Sequence, residues 1–288
     1  MHEERDPMID LHSHILWGLD DGARTMGDSL EMCRIAYCDG IRTVVATPHT
    51  LNGLYQNDRP SILAKVRELN AVLMHCQIQN HKSEFQNPQS TIPNTKSKFR
   101  NPKSAIRNPK SEIKILPGAD VHLCEKTLRQ LDGGKVTTLG DGGKYLLIEF
   151  PFTGIPYGAE EVLHQLISRG IIPIISHPER NLEVDRNPKR YHEMIRMGCL
   201  GQVTAMSLTG EFGPGAKRLA EQLLSKGLVQ IIASDAHSPD GRPPVLSPAV
   251  RAAAKIVRDE EALRMVTEYP QAILEGRRPD FPEPRAFG

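Results

Sequence analysis

The sequence has few cysteines, and none has the spacing that a metal knuckle or a reactive thiol loop requires. Its five cysteines are odd in number and include no Cys-x-x-Cys pair, which excludes a disulfide scaffold and a structural zinc knuckle. No cysteine is followed six residues later by an arginine, so the phosphate-cradling loop of cysteine-dependent enzymes is missing. A thiolate nucleophile is therefore not expected.

Net charge and long apolar runs are also scarce. The 36 Lys and Arg residues balance 35 Asp and Glu residues to a net charge of +1, which gives no bulk attraction to nucleic acid or to an anionic membrane. No apolar run approaches the roughly 18 residues of a membrane-spanning helix, so membrane insertion is not expected. The opening residues, MHEERDP, are too charged and too short for a signal peptide, and we expect a cytoplasmic protein.

What the sequence does contain is a regular alternation of strands and helices. The 288 residues, of which 39% are hydrophobic, suffice for the core of one large domain. We count seven apolar strands separated by amphipathic helices, an order that predicts an α/β fold of parallel βα units, a distorted (βα)7 TIM-like barrel. The predicted strands begin at Met8 and then cover residues 43–47, 113–118, 146–149, 171–176, 200–204 and 229–234.

A low-complexity insertion interrupts this order at about residues 77–112. Within it, Asn and Ser each recur every seven residues from position 80 to position 111. Each repeat has one apolar position, and prolines recur, which argues against a coiled coil. We interpret it as a disordered or loosely extended insertion in a single domain of residues 1–288. Because it joins a helix to a strand, it should project from the rim opposite the active site.

Candidate metal ligands begin in residues 8–22, MIDLHSHILWGLDDG. Side chains alternate along a strand, so His12 and His14 should share one face, and Asp20 and Asp21 follow in the next loop. Two imidazoles and a carboxylate can bind a divalent ion and leave positions open for water or substrate. We favour Asp21 as the ligand and keep Asp20 as the alternative.

Six of the seven predicted strands carry His, Asp or Glu at or just past their carboxyl ends, where βα barrels place their active sites. The strand at 200–204 is the exception. Nine nitrogen and oxygen ligands exceed the needs of one catalytic metal and would serve two or three ions. Without thiolates the set suits manganese first, with iron or zinc as alternatives. The candidate ligands are His12, His14, Asp21, His49, Asp120, Glu149, His177, Asp235 and His237.

Other residues near these positions have competing interpretations. We interpret His122 and His164 as structural or solvated, since most histidines are neither ligands nor catalysts. Glu179 is expected to orient Arg180 or to meet solvent rather than to bind metal. The lone tryptophan, Trp17, lies in the first active-site loop, where it either stacks on an aromatic substrate or covers the core.

Seven blocks of sequence keep their order and cover nearly the whole chain apart from the insertion. They are IDLHSHILWGLDDGA (9–23), VVATPH (44–49), LPGADVHL (116–123), LLIEFP (146–151), IPIISHPERN (172–181), SLTGEFG (207–213) and IIASDAHSPDGRPP (231–244). Together they resemble the PHP (polymerase and histidinol phosphatase) superfamily, and within it the capsular-polysaccharide CpsB/CapC type of bacterial metal-dependent tyrosine-protein phosphatase.

The resemblance implies a barrel of the PHP type with three metal ions, usually manganese, held at the nine positions above. Arg180 and Arg242 match the two phosphate-binding arginines of the family. Asp120 stands where glutamate is more common, and a carboxylate one methylene shorter is expected to weaken or reposition one ion. The implied partner is a phosphotyrosine-bearing bacterial kinase that controls capsule or exopolysaccharide synthesis, and small homo-oligomers are expected.

The expected reaction is phosphomonoester hydrolysis by a metal-activated hydroxide, without a covalent enzyme intermediate. Arg180 and Arg242 would add charge-assisted hydrogen bonds, the alternative for each being a surface ion pair. His237 or His177 would protonate the phenolate leaving group. Two other functions stay open: a phosphatase of small metabolites such as histidinol phosphate, and a non-catalytic metal-binding or regulatory module.

Overall fold

Parallel strands and helices alternate through residues 6–80 and 113–285, the part of the chain that the computed structural model describes. The strands are β1 (Met8–Ser13), β2 (Ile41–Ala46), β3 (His49–Thr50), β4 (Lys114–Pro117), β5 (Asp120–His122), β6 (Tyr145–Glu149), β7 (Ile172–Ser176), β8 (Leu200–Thr204) and β9 (Ile231–Ala233). The helices are α1 (Met26–Asp39), α2 (Arg59–Asn80), α3 (Thr127–Asp132), α4 (Ala159–Ser168), α5 (Leu182–Arg186), α6 (Lys189–Met197), α7 (Ala205–Thr209), α8 (Gly213–Ser225), α9 (Ser247–Val257), α10 (Asp259–Arg264) and α11 (Glu268–Leu274).

The strands form two parallel sheets that continue into each other, in the orders β1-β2-β4 and β3-β5-β6-β7-β8-β9. β3 continues the path of β2, and β5 that of β4, so the nine segments occupy seven strand positions. Main-chain hydrogen bonds then link the last strand to the first: Asp235 donates to His12 (2.8 Å) and His14 donates to Ala236 (2.8 Å). The predicted α/β fold with seven parallel strand positions is confirmed.

Two of the predicted strands are broken just before a candidate ligand. Pro48 has no backbone N–H to offer the sheet, and it separates β2 from His49. Gly118 separates β4 from Asp120 at a point where a Cβ would lie 2.7 Å from Cγ1 of Val45. The sequence patterns did not predict that strand segments resume at His49 and Asp120 after these breaks.

Apolar side chains form two clusters, one inside the ring of strands and one between the strands and the helices. Strands buried on both faces read as continuous apolar runs, which explains the uniform hydrophobicity of β6 and β7. The inner cluster takes residues from six strands and is capped by α11; it includes Ile9, Leu11, Val45, Leu147, Ile174, Leu200, Ile231 and Ile273.

A bulge in β1 places the first histidine. Asp10 pairs with Val44 and Ser13 pairs with Ala46, so β1 has one more residue than β2 over this stretch. Strict alternation after Leu11, which lies in the inner cluster, would turn His12 away from the interior. The extra residue shifts the alternation, so the side chains of Leu11 and His12 both face the interior of the ring of strands.

The sequence predicts the start of the first helix from a capping box at Thr25 and Asp28 and its end from Gly40, and the structure confirms both. Thr25 and Asp28 form a reciprocal capping box at the start of α1, and Gly40 ends the helix in a left-handed conformation (φ 96°). Apolar periodicity in the sequence also predicts helices at 157–169, 188–197, 216–225, 247–257 and 260–266, and these match α4, α6, α8, α9 and α10 to within three residues. Among the described residues, no helix is both long and apolar enough to cross a membrane.

α2 extends to Asn80 and so includes the first residues of the predicted insertion, and β4 comes after it. The insertion therefore lies at a helix-to-strand connection, as predicted. Residues 81–112 lie outside the described part of the chain, and the expectations for their conformation and for their projection away from the site stay predictions.

Asp10 joins the first strand to the last through a buried carboxylate. It accepts hydrogen bonds from the backbone N–H (2.9 Å) and the hydroxyl of Ser234, and burial raises its pKa from 3.8 to about 6. Because the folded protein holds this proton more tightly than the unfolded chain, the contribution to stability is complete below pH 4 and is lost as pH rises through about 6.

We therefore expect Asp10→Asn to remove part of the pH dependence of folding. In chelator-treated protein, the free energy of unfolding of the wild type should fall by up to about 3 kcal/mol, relative to the variant, between pH of about 4 and about 7. Urea unfolding of both proteins at each pH measures this difference. Parallel pH profiles would contradict the expectation.

Candidate active site

The nine candidate ligands, which are far apart in the sequence, meet at the carboxyl ends of the strands. They form four overlapping groups, in each of which the ligand atoms lie within 4.8 Å of one another. Such overlap suits neighbouring ions that share ligands. The groups are His14, Asp21, His49 and His237; His12, His14 and Asp235; His12, Asp120 and His177; and His49, Asp120 and Glu149.

His12 is oriented by a residue that sequence reasoning missed. Its Nδ1 donates to Oε1 of Gln202 (2.9 Å), which leaves the Nε2 lone pair free to face the site. Gln202 lies on β8, the strand that appeared to contribute nothing, and it is fully buried. The sequence signal that could have found it is a glutamine within an otherwise largely apolar predicted strand, residues 200–204.

Asp20 and Asp21 divide the roles that the sequence left open. Asp20 accepts from Nδ1 of His14 (2.6 Å) and from the backbone N–H of His49 (2.9 Å), so it positions two candidate ligands from outside the cluster. Asp21 instead places Oδ1 at 3.6 Å from Nε2 of both His49 and His237. This geometry favours Asp21 as the ligand.

His12, His14 and Asp235 form the tightest group. The Nε2 atoms of His12 and His14 are 3.2 Å apart, and each lies 3.4 Å from Oδ1 of Asp235. Ligands bound at about 2.0–2.2 Å around one ion are themselves separated by about 3.0–3.5 Å. In both imidazoles Nδ1 is hydrogen-bonded to another residue, so the Nε2 lone pairs are available. These two lone pairs and the carboxylate oxygen of Asp235 converge on one point. These residues fit a divalent cation.

Asp120 extends the cluster toward Glu149. Among residues 6–80 and 113–285, its buried Oδ2 has no hydrogen-bond partner, and neither has the buried Nδ1 of His49. Oδ2 lies 3.4 Å from that nitrogen and 3.6 Å from Nε2 of His12. Glu149 reaches the same His49 nitrogen at 3.5 Å. Two unpaired buried polar atoms at one point are costly unless something binds between them. Despite its shorter side chain, Asp120 reaches both neighbouring groups.

His177 and His237 hold neutral imidazoles. Burial, together with the nearby charge of Arg180, lowers the pKa of His177 to about 3, and burial with the charge of Arg242 lowers that of His237 to about 2. Neutral imidazoles suit ligation. They do not favour the predicted role of either histidine as proton donor to the leaving group, a role that stays a prediction.

The two arginines converge on a single buried carboxylate. Arg180 donates from Nη1 to Oδ2 of Asp235 (2.7 Å), and Arg242 donates from Nη2 to the same oxygen and to the Asp235 carbonyl (2.9 Å). Burial opposes the charge of Asp235, but His12, His14 and Arg242 outweigh it and lower its pKa. The alternative of surface ion pairs does not apply, since Asp235 is 2% exposed.

Glu179 does neither of the things predicted for it. It is buried (3% exposed) and accepts hydrogen bonds from the backbone N–H of Thr204 (3.0 Å) and the hydroxyl of Ser207 (2.7 Å). Burial raises its pKa to about 6. Glu179 therefore ties the segment after β7 to the start of α7, and the expectations of an Arg180 contact or of solvent exposure were wrong.

The other ambiguous residues separate clearly. Trp17 packs against the outer core with the Lys65 ammonium 3.7 Å from its ring centroid, which favours the covering role. His164 is exposed on α4, as expected of a solvated histidine. His122 lies closer to the site than expected, with Nδ1 3.5 Å from Oε2 of Glu149.

We expect Asp20→Asn to weaken metal binding without unfolding the protein. Asparagine has no negative charge to strengthen the hydrogen bond from Nδ1–H of His14. The imidazole therefore loses the charged partner that fixes its tautomer. Loss of such a partner typically costs about 10- to 100-fold in metal affinity. Calorimetric titration with Mn²⁺ measures the change, and Asp240→Asn, at an exposed position, is the control. Equal affinity in the two variants would contradict the role of Asp20.

Parallel strands with histidines and carboxylates clustered at their carboxyl ends define an α/β protein with a candidate site for divalent metal ions. Comparison with known proteins gives the family. The chain belongs to the capsular polysaccharide synthesis CpsB/CapC family, whose model matches residues 8–83 and 80–275. The resemblance predicted from the sequence blocks is confirmed.

Individual relatives agree with this assignment. The chain is 35% identical to the tyrosine-protein phosphatase YwqE of Bacillus subtilis over 231 residues, covering 80% of this chain and 78% of the relative. It is 27% identical to the tyrosine-protein phosphatase CpsB of Streptococcus pneumoniae over 272 residues, covering 93% and 98%. The fold also superposes on a chain from the crystal structures of YwqE from Bacillus subtilis and CpsB from Streptococcus pneumoniae, which are described as metal-dependent tyrosine phosphatases. The TM-score is 0.82 and the sequence identity is 30%, over 98% of this chain and 100% of the matched chain.

Proposed function

We propose that this protein is a metal-dependent tyrosine-protein phosphatase that hydrolyses phosphotyrosine. The observation that carries the proposal is the position of Asp235, which offers one oxygen to the His12 and His14 nitrogens and the other to Arg180 and Arg242. Cation ligands and anion-binding groups thus adjoin at one carboxylate. The names of the relatives supply the substrate class.

The nine clustered side chains hold the ions in this proposal. Divalent ions, when bound, activate water and neutralise phosphoryl oxygens. Gln202 and Asp20 keep the imidazoles of His12 and His14 in the ligating tautomer, as their hydrogen bonds indicate. Arg180 and Arg242 bind the non-bridging oxygens of the phosphate and stabilise the charge that shifts during transfer.

Manganese is the proposed metal, with iron or zinc as the alternatives to be distinguished by elemental analysis. The donor set contains imidazole nitrogens and carboxylate oxygens but no thiolate, which suits manganese.

His49 has one nitrogen toward Asp120 and the other toward Asp21, at 3.4 and 3.6 Å. A neutral imidazole has one free lone pair, so His49 serves one of the two groups at a time.

The proposed partner is a phosphotyrosine-bearing bacterial tyrosine kinase of capsule or exopolysaccharide synthesis. A family defined by capsular polysaccharide synthesis and relatives named tyrosine-protein phosphatases support this. The proposal places the reaction in the cytoplasm, in a single domain of residues 1–288 with the insertion at about 77–112. Assembly into a small homo-oligomer stays a prediction.

The test compares two substrates under the same conditions. Purified protein loaded with Mn²⁺ should release phosphate from a phosphotyrosyl peptide much faster than from histidinol phosphate. Faster turnover of histidinol phosphate would instead identify a small-molecule phosphatase. Failure to hydrolyse either compound, or p-nitrophenyl phosphate, with manganese, iron or zinc would favour a non-catalytic module and contradict the proposal.

A further inference from the structure

Two phenylalanine rings flank the guanidinium of Arg180 at the mouth of the site. Its Cζ atom lies 4.8 Å from the ring centroid of Phe152 and 4.8 Å from that of Phe212. Phe212 also lies 5.3 Å from Cζ of Arg242. Stacking on the guanidinium faces leaves the N–H groups that do not donate to Asp235 available to an anion, and Phe212 helps to position both arginines.

Phe152 differs from Phe212 because much of its surface is still available. It is 49% exposed although its ring contacts Arg180 and lies 5.9 Å from the ring of His177. Its loop is held in place, since the Phe152 carbonyl accepts from the Leu182 N–H (2.9 Å) and the Pro151 carbonyl accepts from the Asn181 side chain (2.9 Å). The contact with Arg180 uses only part of the ring, and the exposed part is available to a bound substrate.

We propose that Phe152 is a specificity-determining residue whose ring packs against the phenyl ring of the substrate phosphotyrosine. This inference rests on the proposed function and assigns the group that recognises the aromatic part of the substrate. A phosphate bound by Arg180 and Arg242 must carry its ester group outward past the side chains at the mouth. Phe152 contacts both Arg180 and the candidate ligand His177, so its exposed surface borders that route.

Selectivity for aromatic phosphate esters depends on the aromatic ring of Phe152 and not on its apolar area alone. Aromatic pairs gain energy beyond the area that they bury, through offset or edge-to-face contacts. An alkyl phosphate bound at the same arginines would bury less surface and would lack this term. The protein should therefore prefer aromatic over aliphatic phosphate esters at the binding step, before any difference between leaving groups.

Non-hydrolysable phosphonates separate binding from chemistry. Inhibition constants are measured for benzylphosphonate, methylphosphonate and inorganic phosphate with the Mn²⁺-loaded wild type, Phe152→Leu and Phe152→Ala. We expect the wild type to prefer benzylphosphonate to methylphosphonate, and Phe152→Ala to reduce that preference by about 5- to 10-fold. Phe152→Leu should recover part of the preference, because it restores apolar area without the aromatic contact. Inhibition by inorganic phosphate should change by less than about twofold, since the arginines remain.

Tyr157→Ala is the matched control, because Tyr157 is a fully exposed aromatic residue in the same loop between β6 and α4. An unchanged preference in Phe152→Ala, or an equal loss in Tyr157→Ala, would overturn the inference. Equal weakening of all three inhibitors would also overturn it, because Phe152 would then only position Arg180. Turnover of phosphotyrosyl peptide by the wild type is measured in parallel: its absence contradicts the proposed function, whereas its presence with an unchanged preference contradicts only the role of Phe152.

Discussion

Replacing Asp235 by asparagine should lower kcat for phosphotyrosine hydrolysis by about a thousandfold or more, since loss of even one stabiliser of transition-state charge costs about 10²- to 10³-fold. Asp235 contributes to the site in two ways. Its Oδ1 faces the His12 and His14 nitrogens, and its Oδ2 accepts from both arginines. The amide removes a negative charge from the cation ligands and presents a different group to Arg180 and Arg242.

The control is Asp240→Asn, which changes the same residue type in the following exposed loop. Circular dichroism and thermal unfolding show whether each variant is folded, and single-turnover assays measure the chemical step. Activity of Asp235→Asn within about tenfold of the wild type would be incompatible with transition-state stabilisation at this carboxylate.

Removal of divalent ions should have an effect of similar size. Ions at such a centre supply several kcal/mol of transition-state stabilisation, and each 1.4 kcal/mol is tenfold in rate, so chelation should lower turnover by about a thousandfold or more. Stability should change as well, because a ligand that binds the folded state at 100 times its Kd adds about 2.7 kcal/mol. We therefore expect added Mn²⁺ to raise the melting temperature of chelated protein by several degrees.

Differential scanning calorimetry and a phosphatase assay on the same samples measure both effects. Glu149→Gln should reduce the Mn²⁺-dependent shift in melting temperature, because Glu149 belongs to the group formed with His49 and Asp120. Glu125→Gln, at an exposed position, should leave it unchanged. Full activity after exhaustive chelation, or a melting temperature that does not respond to Mn²⁺, would rule out a metal-dependent enzyme.

Local sequence signals predicted most of the fold and the set of candidate ligands. Strands that are buried on both faces have a continuous apolar run, and a polar residue at the end of such a run marks the rim where the site forms. The capping residues Thr25 and Asp28 and the terminator Gly40 located α1 directly. Chemistry confined to strand ends could therefore be predicted from local patterns alone.

Residues that act through long-range contacts could not be predicted in this way. Gln202 is separated from His12 by 190 positions, and Asp10 from Ser234 by 224, so neither pairing leaves a local pattern. Glu179 looked like an ordinary solvent-facing carboxylate because its partners, Thr204 and Ser207, lie on the next βα unit. Such contacts depend on strand order, which periodicity does not determine.

The backbone at two candidate ligands lies in a region that side chains with a Cβ seldom adopt. His177 has φ 34° and Asp235 has φ 51°, and each such residue costs about 1–3 kcal/mol. Glycine would relieve that cost at either position. At position 235, however, glycine would leave Arg180 and Arg242 without the buried carboxylate that they share, and at position 177 it would remove a candidate ligand. The strained backbone at both positions is therefore retained because the side chains are needed, and the fold bears its cost.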